Sequence, residues 1–300
     1  MDYVAGVGII NVDILYSGVN RLPNEGEEVY SKGFDIQLGG GVTATLINLT
    51  RLGIPTRLCT FLGEDMFSNY SKEQLATYNV QYNNLYEEKG IPIIITSIMI
   101  TESDRTFLSY RKEPEITKEL QKKIYNKLTG AKVVEMHLGY LDVYKRLKAE
   151  GTKLVFDIGW DDEMSLEKYK EYLVLADYFT PNQKEALKLT NSSDLKEAAK
   201  KLGEYFDNVI IKLDKDGCMY VENGITYIIP PLDNIIAIDS TGAGDAFLSG
   251  FIYGIYHDYS LKEAISFGNI TGATCVQGVG CLTNYVTEKE LLEIARKMYQ

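Results

Sequence analysis

Short apolar runs rich in β-branched residues alternate along this chain with amphipathic stretches of helical length, and this alternation constrains the fold more than any other feature. The runs of strand length cover residues 3–10, 57–62, 132–138, 153–158, 175–180, 208–213 and 234–238. The clearest helical stretches cover residues 116–128, 195–205, 246–256, 261–276 and 288–299. Strands that alternate with helices are typical of βαβ units. The sequence therefore predicts an α/β fold in which helices cover both faces of a mainly parallel sheet.

The chain has no internal repeat and no Pro-, Gly- or Ser-rich linker, and its length allows one large α/β domain or two small ones; the order of the motifs described below favours a single domain over residues 1–300. Lys and Arg number 31 against 42 Asp and Glu, which gives a net charge of −11. A field of this sign repels the phosphates of nucleic acid and the surface of an anionic membrane. We therefore expect neither nucleic acid nor a membrane as a partner.

The four cysteines form no CxxC pair and the chain has only two histidines, so neither a zinc site nor a disulfide framework is expected. No apolar run is long enough to span a bilayer, and the first residues lack the basic region of a secretory signal. The sequence predicts a cytoplasmic protein with reduced thiols.

Residues 13–38 and 92–110 interrupt the alternation, because they carry strand patterns and turn residues but no helix. The second segment predicts a β-hairpin, with strands at 93–100 and 105–110 and a turn at 101–104. Together the two segments are expected to form a small sheet over one end of the main sheet. Such a sheet can close over a site as a lid, or it can extend the core or contact a second subunit, and the sequence leaves these interpretations open.

The segment from Asp239 to Phe247 carries the strongest chemical signal. It reads Asp-Ser-Thr-Gly-Ala-Gly-Asp-Ala-Phe and precedes a predicted helix. Gly242 and Gly244 permit a tight turn and the close approach of a ligand, and the helix directs unpaired N–H groups and a positive dipole end at an anion. Asp245 could take a proton from a hydroxyl group that attacks a bound phosphate. The alternative is helix capping alone, since Asp and Gly are common at helix starts.

Other glycine-rich segments give weaker signals. No GxxxxGK[ST] run is present, which excludes a Walker-type phosphate loop. Gly6 and Gly8 resemble the start of a dinucleotide fingerprint, but Asn11 replaces the third glycine and a strand pattern follows; a nicotinamide-dependent oxidoreductase is retained only as an alternative. The three glycines at 39–41 precede a helical pattern, and they permit either ligand contact with the main chain or a hinge.

Two acidic residues follow predicted strands. Asp13 comes just past the first strand, where open α/β sheets bind ligands, although an exposed turn would also accommodate it. Asn182 and Glu185 have the spacing of a capping box, and the alternative is that Glu185 orders water around magnesium.

Residues 239–247 resemble the second signature of the phosphofructokinase-B (PfkB), or ribokinase-like, family of carbohydrate kinases. Four further segments resemble the family's motifs in the family's order: 8–13 its sugar-contact segment, 39–41 its first signature, 61–65 its Gly-x-Asp stretch and 182–185 its Asn-x-x-Glu motif. The resemblance spans nearly the whole chain. It implies a ribokinase-like, three-layer α/β/α fold with a mainly parallel sheet and a small β-sheet lid, formed by the insertions at about 13–38 and 92–110.

The resemblance also implies an ATP-dependent kinase that transfers the γ-phosphate to a primary hydroxyl group of a sugar, with a ketose such as fructose, or ribose, favoured. Asp245 would be the general base, and the backbone of Thr241, Gly242, Ala243 and Gly244 the anion hole. The lid would also form the contact of a homodimer.

The remaining implied roles fall into four groups. They are substrate binding by Asn11, Asp13, Gly40, Gly41 and Arg105; nucleotide binding by Asn182, Lys212, Asp214, Gly217, Thr241, Gly244 and Asn269; Mg²⁺ held through water by Glu185; and a monovalent cation such as K⁺ at Asp239, Thr241 and Gly280.

The chain departs from the family pattern at Ala44, where an asparagine that holds a substrate hydroxyl is usual. A nucleoside kinase of the same fold and a non-catalytic small-ligand sensor with this fold are kept as alternatives. For Arg105, the alternative to substrate contact is a solvated charge on the hairpin.

Overall fold

The structure is a computed structural model that describes residues 2–298. Its central sheet consists of six parallel strands, numbered in chain order: β1 (Val4–Val7), β4 (Thr56–Thr60), β5 (Gln81–Asn84), β8 (Val133–Met136), β9 (Lys153–Phe156) and β10 (Tyr178–Phe179). Their spatial order is β10-β9-β8-β1-β4-β5, and each pair of neighbours is parallel. The mainly parallel sheet expected from the alternating pattern is confirmed.

Ten α-helices lie in the described residues: α1 (Val42–Arg51), α2 (Met66–Thr77), α3 (Lys118–Leu128), α4 (Leu141–Ala149), α5 (Leu166–Leu175), α6 (Gln183–Thr190), α7 (Leu195–Leu202), α8 (Ala243–Tyr256), α9 (Leu261–Cys275) and α10 (Glu288–Met298). Successive strand residues face opposite sides of a sheet. Val133 accordingly packs in one apolar core with α1, α2, α8, α9 and α10, whereas Val134 packs in a second core with α3 to α7. Helices thus cover both faces, as a three-layer α/β/α fold requires.

A second, four-stranded sheet is built from the two predicted insertions: β2 (Asn11–Ser17), β3 (Gly33–Leu38), β6 (Ile94–Ile100) and β7 (Arg105–Tyr110), in the order β3-β2-β6-β7. Strands β6 and β7 form the predicted hairpin, with Ile100 opposite Arg105. Strand β2 begins four residues after β1 ends, so this lid sheet starts at the carboxyl end of the central sheet.

An antiparallel sheet of β11 (Asn208–Lys212), β12 (Cys218–Glu222) and β13 (Ile225–Ile229) continues the central sheet beyond β10, because the N–H group of Lys212 donates to the carbonyl of Pro181 at 2.9 Å. The prediction of a strand at 234–238 is wrong. That segment is a loop with no strand beside it, and Ile236 and Ile238 remain largely exposed. An apolar, β-branched run there lines the surface and does not join a sheet.

The predicted helices are confirmed, although their ends shift. Ser260 caps α9 in a capping box with Glu263, and Asp194 caps α7. The predicted last residue of the C-terminal helix, Tyr299, lies outside the described residues.

No helix between residues 2 and 298 is both long and apolar enough to cross a membrane.

Candidate active site

The loop that leads into α8 leaves backbone donors free for an anion. Gly242, the N-cap of this 14-residue helix, has φ 74°, and a Cβ there would overlap the side chain of Cys281. No side chain caps the helix, and among the described residues no acceptor pairs with the N–H groups of Gly244 and Asp245. Because the positive end of a helix dipole adds to these donors, this turn is suited to bind a phosphate.

Asp245 lies in the first turn of α8 and faces the start of α1. A Cβ on Gly40 would overlap its Oδ2 atom. Burial raises the pKa of Asp245 to about 6; the Asp157 carboxylate also raises it, while the backbone N–H group of Gly41 and the charge of Lys212 oppose the rise. An aspartate with this pKa is ionised at neutral pH, yet basic enough to accept a proton.

The lid strand β2 brings Asn11 and Asp13 to the same region. Asn11 Nδ2 donates to Asp13 Oδ1 at 2.8 Å, and Asn11 Oδ1 accepts from the Thr96 hydroxyl at 3.1 Å. Burial raises the pKa of Asp13 to about 6, the Asn11 bond lowers it, and the nearby Asp239 carboxylate raises it. Asp13 is therefore a buried lid carboxyl and does not lie in an exposed turn.

Arg105, the first residue of β7, joins the lid to the loop before α8. Its guanidinium forms an ion pair with Asp239 and hydrogen bonds with the hydroxyls of Thr241 and Ser240. Asp239 also accepts from the N–H groups of Thr241 and Gly280, each at 2.9 Å. Burial raises the pKa of Asp239, but these hydrogen bonds and the Arg105 charge outweigh it and lower the pKa. Arg105 is thus not a solvated hairpin charge.

Lys212, at the end of β11, supplies a buried positive charge under the same turn. Its Nζ lies 3.5 Å from where a Cβ on Gly244 would be, and it pairs with Asp157 Oδ2 at 3.1 Å. Burial lowers the pKa of Lys212, but the carboxylates of Asp157 and Glu185 more than compensate and raise it. The ammonium group therefore stays charged beside the free N–H groups of α8.

Glu185 and Asn182 form the predicted capping box at the start of α6. The backbone N–H of Asn182 donates to Glu185 Oε2 at 2.8 Å, and the N–H of Glu185 donates to Asn182 Oδ1 at 3.0 Å. Burial raises the pKa of Glu185 to about 7, and Asp157 adds to the rise. The capping interpretation is confirmed, and the same carboxyl faces the Lys212 pair.

The three other residues assigned to the nucleotide lie around the β11–β12 turn. Asp214 has φ 54° and accepts from Gln183 Nε2 at 2.7 Å, and Gly217 has φ 89° and leaves no room for a Cβ beside the carbonyl of Ile229. Asn269, on α9, donates its amide to the carbonyls of Ile229 and Pro230. The Asn269 amide nitrogen is therefore already engaged by the main chain.

Sequence reasoning missed two carboxyl groups near Asp245. Asp157 follows β9 at its carboxyl end, and Glu135 lies inside β8 with only 4% of its surface exposed. Each had a signal in the sequence: Asp157 is an acidic residue near the end of the strand predicted at 153–158, and Glu135 is a lone acidic residue in an apolar run.

Comparisons with known proteins give one consistent result. Residues 1–288 match the model described as pfkB family carbohydrate kinase. The chain is similar to the ribokinase of Lactococcus lactis subsp. lactis (strain IL1403), with 23% identity over 93% of this chain and 92% of the relative. It is also similar to the deoxyribokinase of Salmonella typhi, with 23% identity over 97% of each protein. The solved structure of Arabidopsis thaliana ribokinase complexed with ribose and ATP resembles it with a TM-score of 0.81, 23% identity and 99% coverage of both chains.

Proposed function

The chain belongs to the pfkB family of carbohydrate kinases, and we propose that it transfers the γ-phosphoryl group of ATP to a primary hydroxyl group of a sugar, with a ketose such as fructose, or ribose, favoured. Its fold is ribokinase-like. At the coarser level the chain is a sugar or nucleoside kinase, a phosphotransferase that acts on a hydroxyl group. We further propose that residues 1–300 form one kinase domain with the β-sheet as its lid.

The observation that carries this proposal is the position of Asp245. Its carboxylate lies against Gly40 and Gly41, next to the uncapped N-terminus of α8. A hydroxyl group held at the 39–41 run would meet the carboxylate, while a phosphate would meet the free N–H groups. A base and an anion site are thus adjacent, as phosphoryl transfer to an alcohol requires.

In the proposed reaction, Asp245 accepts the proton of the attacking hydroxyl group. The N–H groups of Gly244 and Asp245 and the ammonium of Lys212 stabilise the negative charge that develops on the phosphoryl oxygens. Removing one such preorganised donor typically costs about 10²–10³-fold in kcat. Asn11, Asp13 and Gly41 are proposed to hold the other hydroxyl groups of the sugar.

ATP and Mg²⁺ are the proposed cosubstrate and metal. Within residues 2–298 no group of three or more His, Cys, Asp or Glu side chains is placed to hold a metal ion. A single buried carboxyl suits Mg²⁺, which usually keeps several waters and binds substrate phosphates with one or two carboxylates. Glu185 is the buried carboxyl we assign to it, through water. When bound, Mg²⁺ would neutralise part of the phosphate charge.

For a monovalent cation such as K⁺, the proposed site is the main chain of Asp239, Thr241 and Gly280. The Asp239 carboxylate itself is already paired with Arg105, so only main-chain oxygens of this loop are proposed for the cation.

A homodimer through the lid is also proposed. The register places Tyr16, Phe34 and Leu108 on one face of the lid sheet, and Phe34 and Leu108 are 62% and 72% exposed. An apolar sheet face of this kind suits a second copy of the chain. A Leu108→Glu variant should sediment as a monomer if that face forms the dimer, and an unchanged sedimentation coefficient would contradict it.

A cytoplasmic location stays a prediction. The four cysteines, Cys59, Cys218, Cys275 and Cys281, are free and buried.

The test is ADP release with MgATP across a panel of ketoses, aldoses, sugar phosphates and nucleosides. The Asp245→Asn variant removes the proposed base, and Asp194→Asn is the matched control because asparagine caps α7 as well as aspartate does. We expect turnover of a sugar by the wild type and the control only. Turnover of nucleosides alone would favour the nucleoside kinase, and ATP binding without turnover of any panel member would favour the sensor.

A further inference from the structure

A row of polar side chains crosses the lid sheet on one of its faces. Directly paired residues of neighbouring strands share a face, and in the order β3-β2-β6-β7 this row consists of Gln37, Asp13, Thr96 and Ser109. Arg105 lies an even number of positions before Ser109 on β7, so it shares that face, and its guanidinium contacts the loop before α8. The polar row is therefore on the side of the lid that faces the candidate active site.

Asn11, which precedes Asp13 on the same face of β2, has an amide group that is held at both ends. Its Nδ2 atom donates to Asp13 Oδ1 at 2.8 Å, and an ionised carboxylate can only accept. Its Oδ1 atom accepts from the Thr96 hydroxyl at 3.1 Å. A Cβ on Gly39 would overlap Asn11 Nδ2, so the amide lies directly against the glycine run of the site.

The hydrogen bonds of Thr96 run in one direction. A threonine hydroxyl has one proton, and that of Thr96 goes to the carbonyl oxygen of Asn11. At the 3.0 Å contact between the Thr96 and Ser109 hydroxyls, Thr96 therefore accepts and Ser109 donates. Thr96 is only 6% exposed, and its proton is already used. Any effect of Thr96 on a bound substrate is therefore exerted through Asn11.

The bond between Asn11 and Asp13 uses one N–H of the amide and one oxygen of the carboxylate. The second N–H and Asp13 Oδ2 have no hydrogen-bond partner within residues 2–298. We propose that Thr96 is a positioning residue for sugar binding, which holds the Asn11 amide so that this donor and this acceptor meet hydroxyl groups of the substrate. Without the Thr96 hydroxyl, the Asn11 carbonyl loses its donor and the amide can rotate about its bond to Asp13. This inference rests on the proposed function, because it needs a polyhydroxylated substrate.

The KM for the best sugar of the panel measures this effect, and the KM for ATP is an internal control. Thr96→Val removes only the hydroxyl, and we expect the sugar KM to rise about tenfold, with kcat and the KM for ATP within about threefold of the wild type. Thr96→Ser keeps the hydroxyl and should restore the sugar KM. Thr106→Val is the matched control, because Thr106 lies on the opposite face of the same hairpin.

A double-mutant cycle tests whether Thr96 acts through Asn11. Asn11→Ala should raise the sugar KM at least as much as Thr96→Val does. Adding Thr96→Val to Asn11→Ala should then raise it by less than about twofold, because the group that Thr96 positions is gone. Additive increases in the double variant would show that Thr96 affects the substrate by another route, and they would overturn the proposal.

Two further results would also overturn it. A wild-type sugar KM in Thr96→Val, together with a lower melting temperature, would show a purely structural role. An equal rise of the sugar KM in Thr106→Val would show that any lost hydroxyl in the hairpin has the same effect. Sugar dissociation constants from calorimetry need no turnover, so they test Thr96 separately from the proposed function, which depends on turnover by the wild type and its loss in Asp245→Asn.

Discussion

The guanidinium of Arg105 in the lid hairpin forms an ion pair with Asp239 in the loop before α8, across 134 positions of sequence. The same guanidinium reaches Thr241 and Ser240, which precede the free N–H groups of the helix. The lid sheet is therefore connected to the proposed anion site through a charged contact.

Replacing Arg105 should disturb both the lid sheet and the anion site. In Arg105→Ala we expect kcat/KM to fall by at least about tenfold, since small displacements of a reacting group are costly, and we expect faster amide hydrogen exchange in residues 94–110. Arg111→Ala is the control, because the ion pair of Arg111 with Glu113 is exposed. Wild-type exchange rates in Arg105→Ala would contradict a role in holding the lid.

Gly40 should not tolerate a side chain. A Cβ at this position overlaps Oδ2 of Asp245, so Gly40→Ala should displace the base and reduce kcat by about 10²-fold. Gly159→Ala meets open space and should keep near wild-type kcat. Steady-state kinetics with the identified sugar measure both, and equal kcat values would refute the proposed contact.

The pH profile should report the raised pKa values of the two site carboxyls. Asp245 and Asp13 each have a pKa near 6, and the proposed base acts only when ionised. We expect kcat/KM to be maximal above this value and to fall as the pH drops through about 6. In Asp13→Asn the acid limb should persist, since Asp245 still titrates. A rate that increases below pH 6 would contradict this assignment.

The Lys212–Asp157 pair should matter for stability as well as for turnover. The two side chains are only 13% and 15% exposed, so Lys212→Met leaves an unpaired buried carboxylate. Removing one partner of a buried pair typically costs about 3–5 kcal/mol in the free energy of unfolding. Urea denaturation at neutral pH measures the loss. The double variant Lys212→Met with Asp157→Leu should recover part of it, and no recovery would mean that the loss has another origin.

Local patterns were enough to predict most of the fold. The strand–helix alternation, the hairpin at 93–110 and the capping box of Asn182 and Glu185 each depend on residues close in sequence, and the structure confirms them. The error at 234–238 has the same origin, because an apolar, β-branched run looks alike in a strand and in an extended loop. Only a neighbouring strand distinguishes the two, and the sequence does not show which segments are neighbours.

The site could be predicted only where a motif marks it. Asp245, Gly40 and Gly41 come from two such motifs, and the structure brings them into contact. The partners of Arg105 and the closeness of Glu135 to Asp245 depend on contacts between segments far apart in the chain. Spacing within one segment carries no information about such contacts, so these residues needed the structure.

The most direct test of the central claim is the fate of the γ-phosphoryl group. Wild type and Asp245→Asn are incubated with MgATP and the best sugar of the panel, and the product is characterised by mass spectrometry and phosphorus–proton correlation NMR. The account predicts a sugar phosphate esterified at its primary hydroxyl group, formed at least about 10²-fold more slowly by Asp245→Asn. Formation of the same product at the wild-type rate by Asp245→Asn would contradict it.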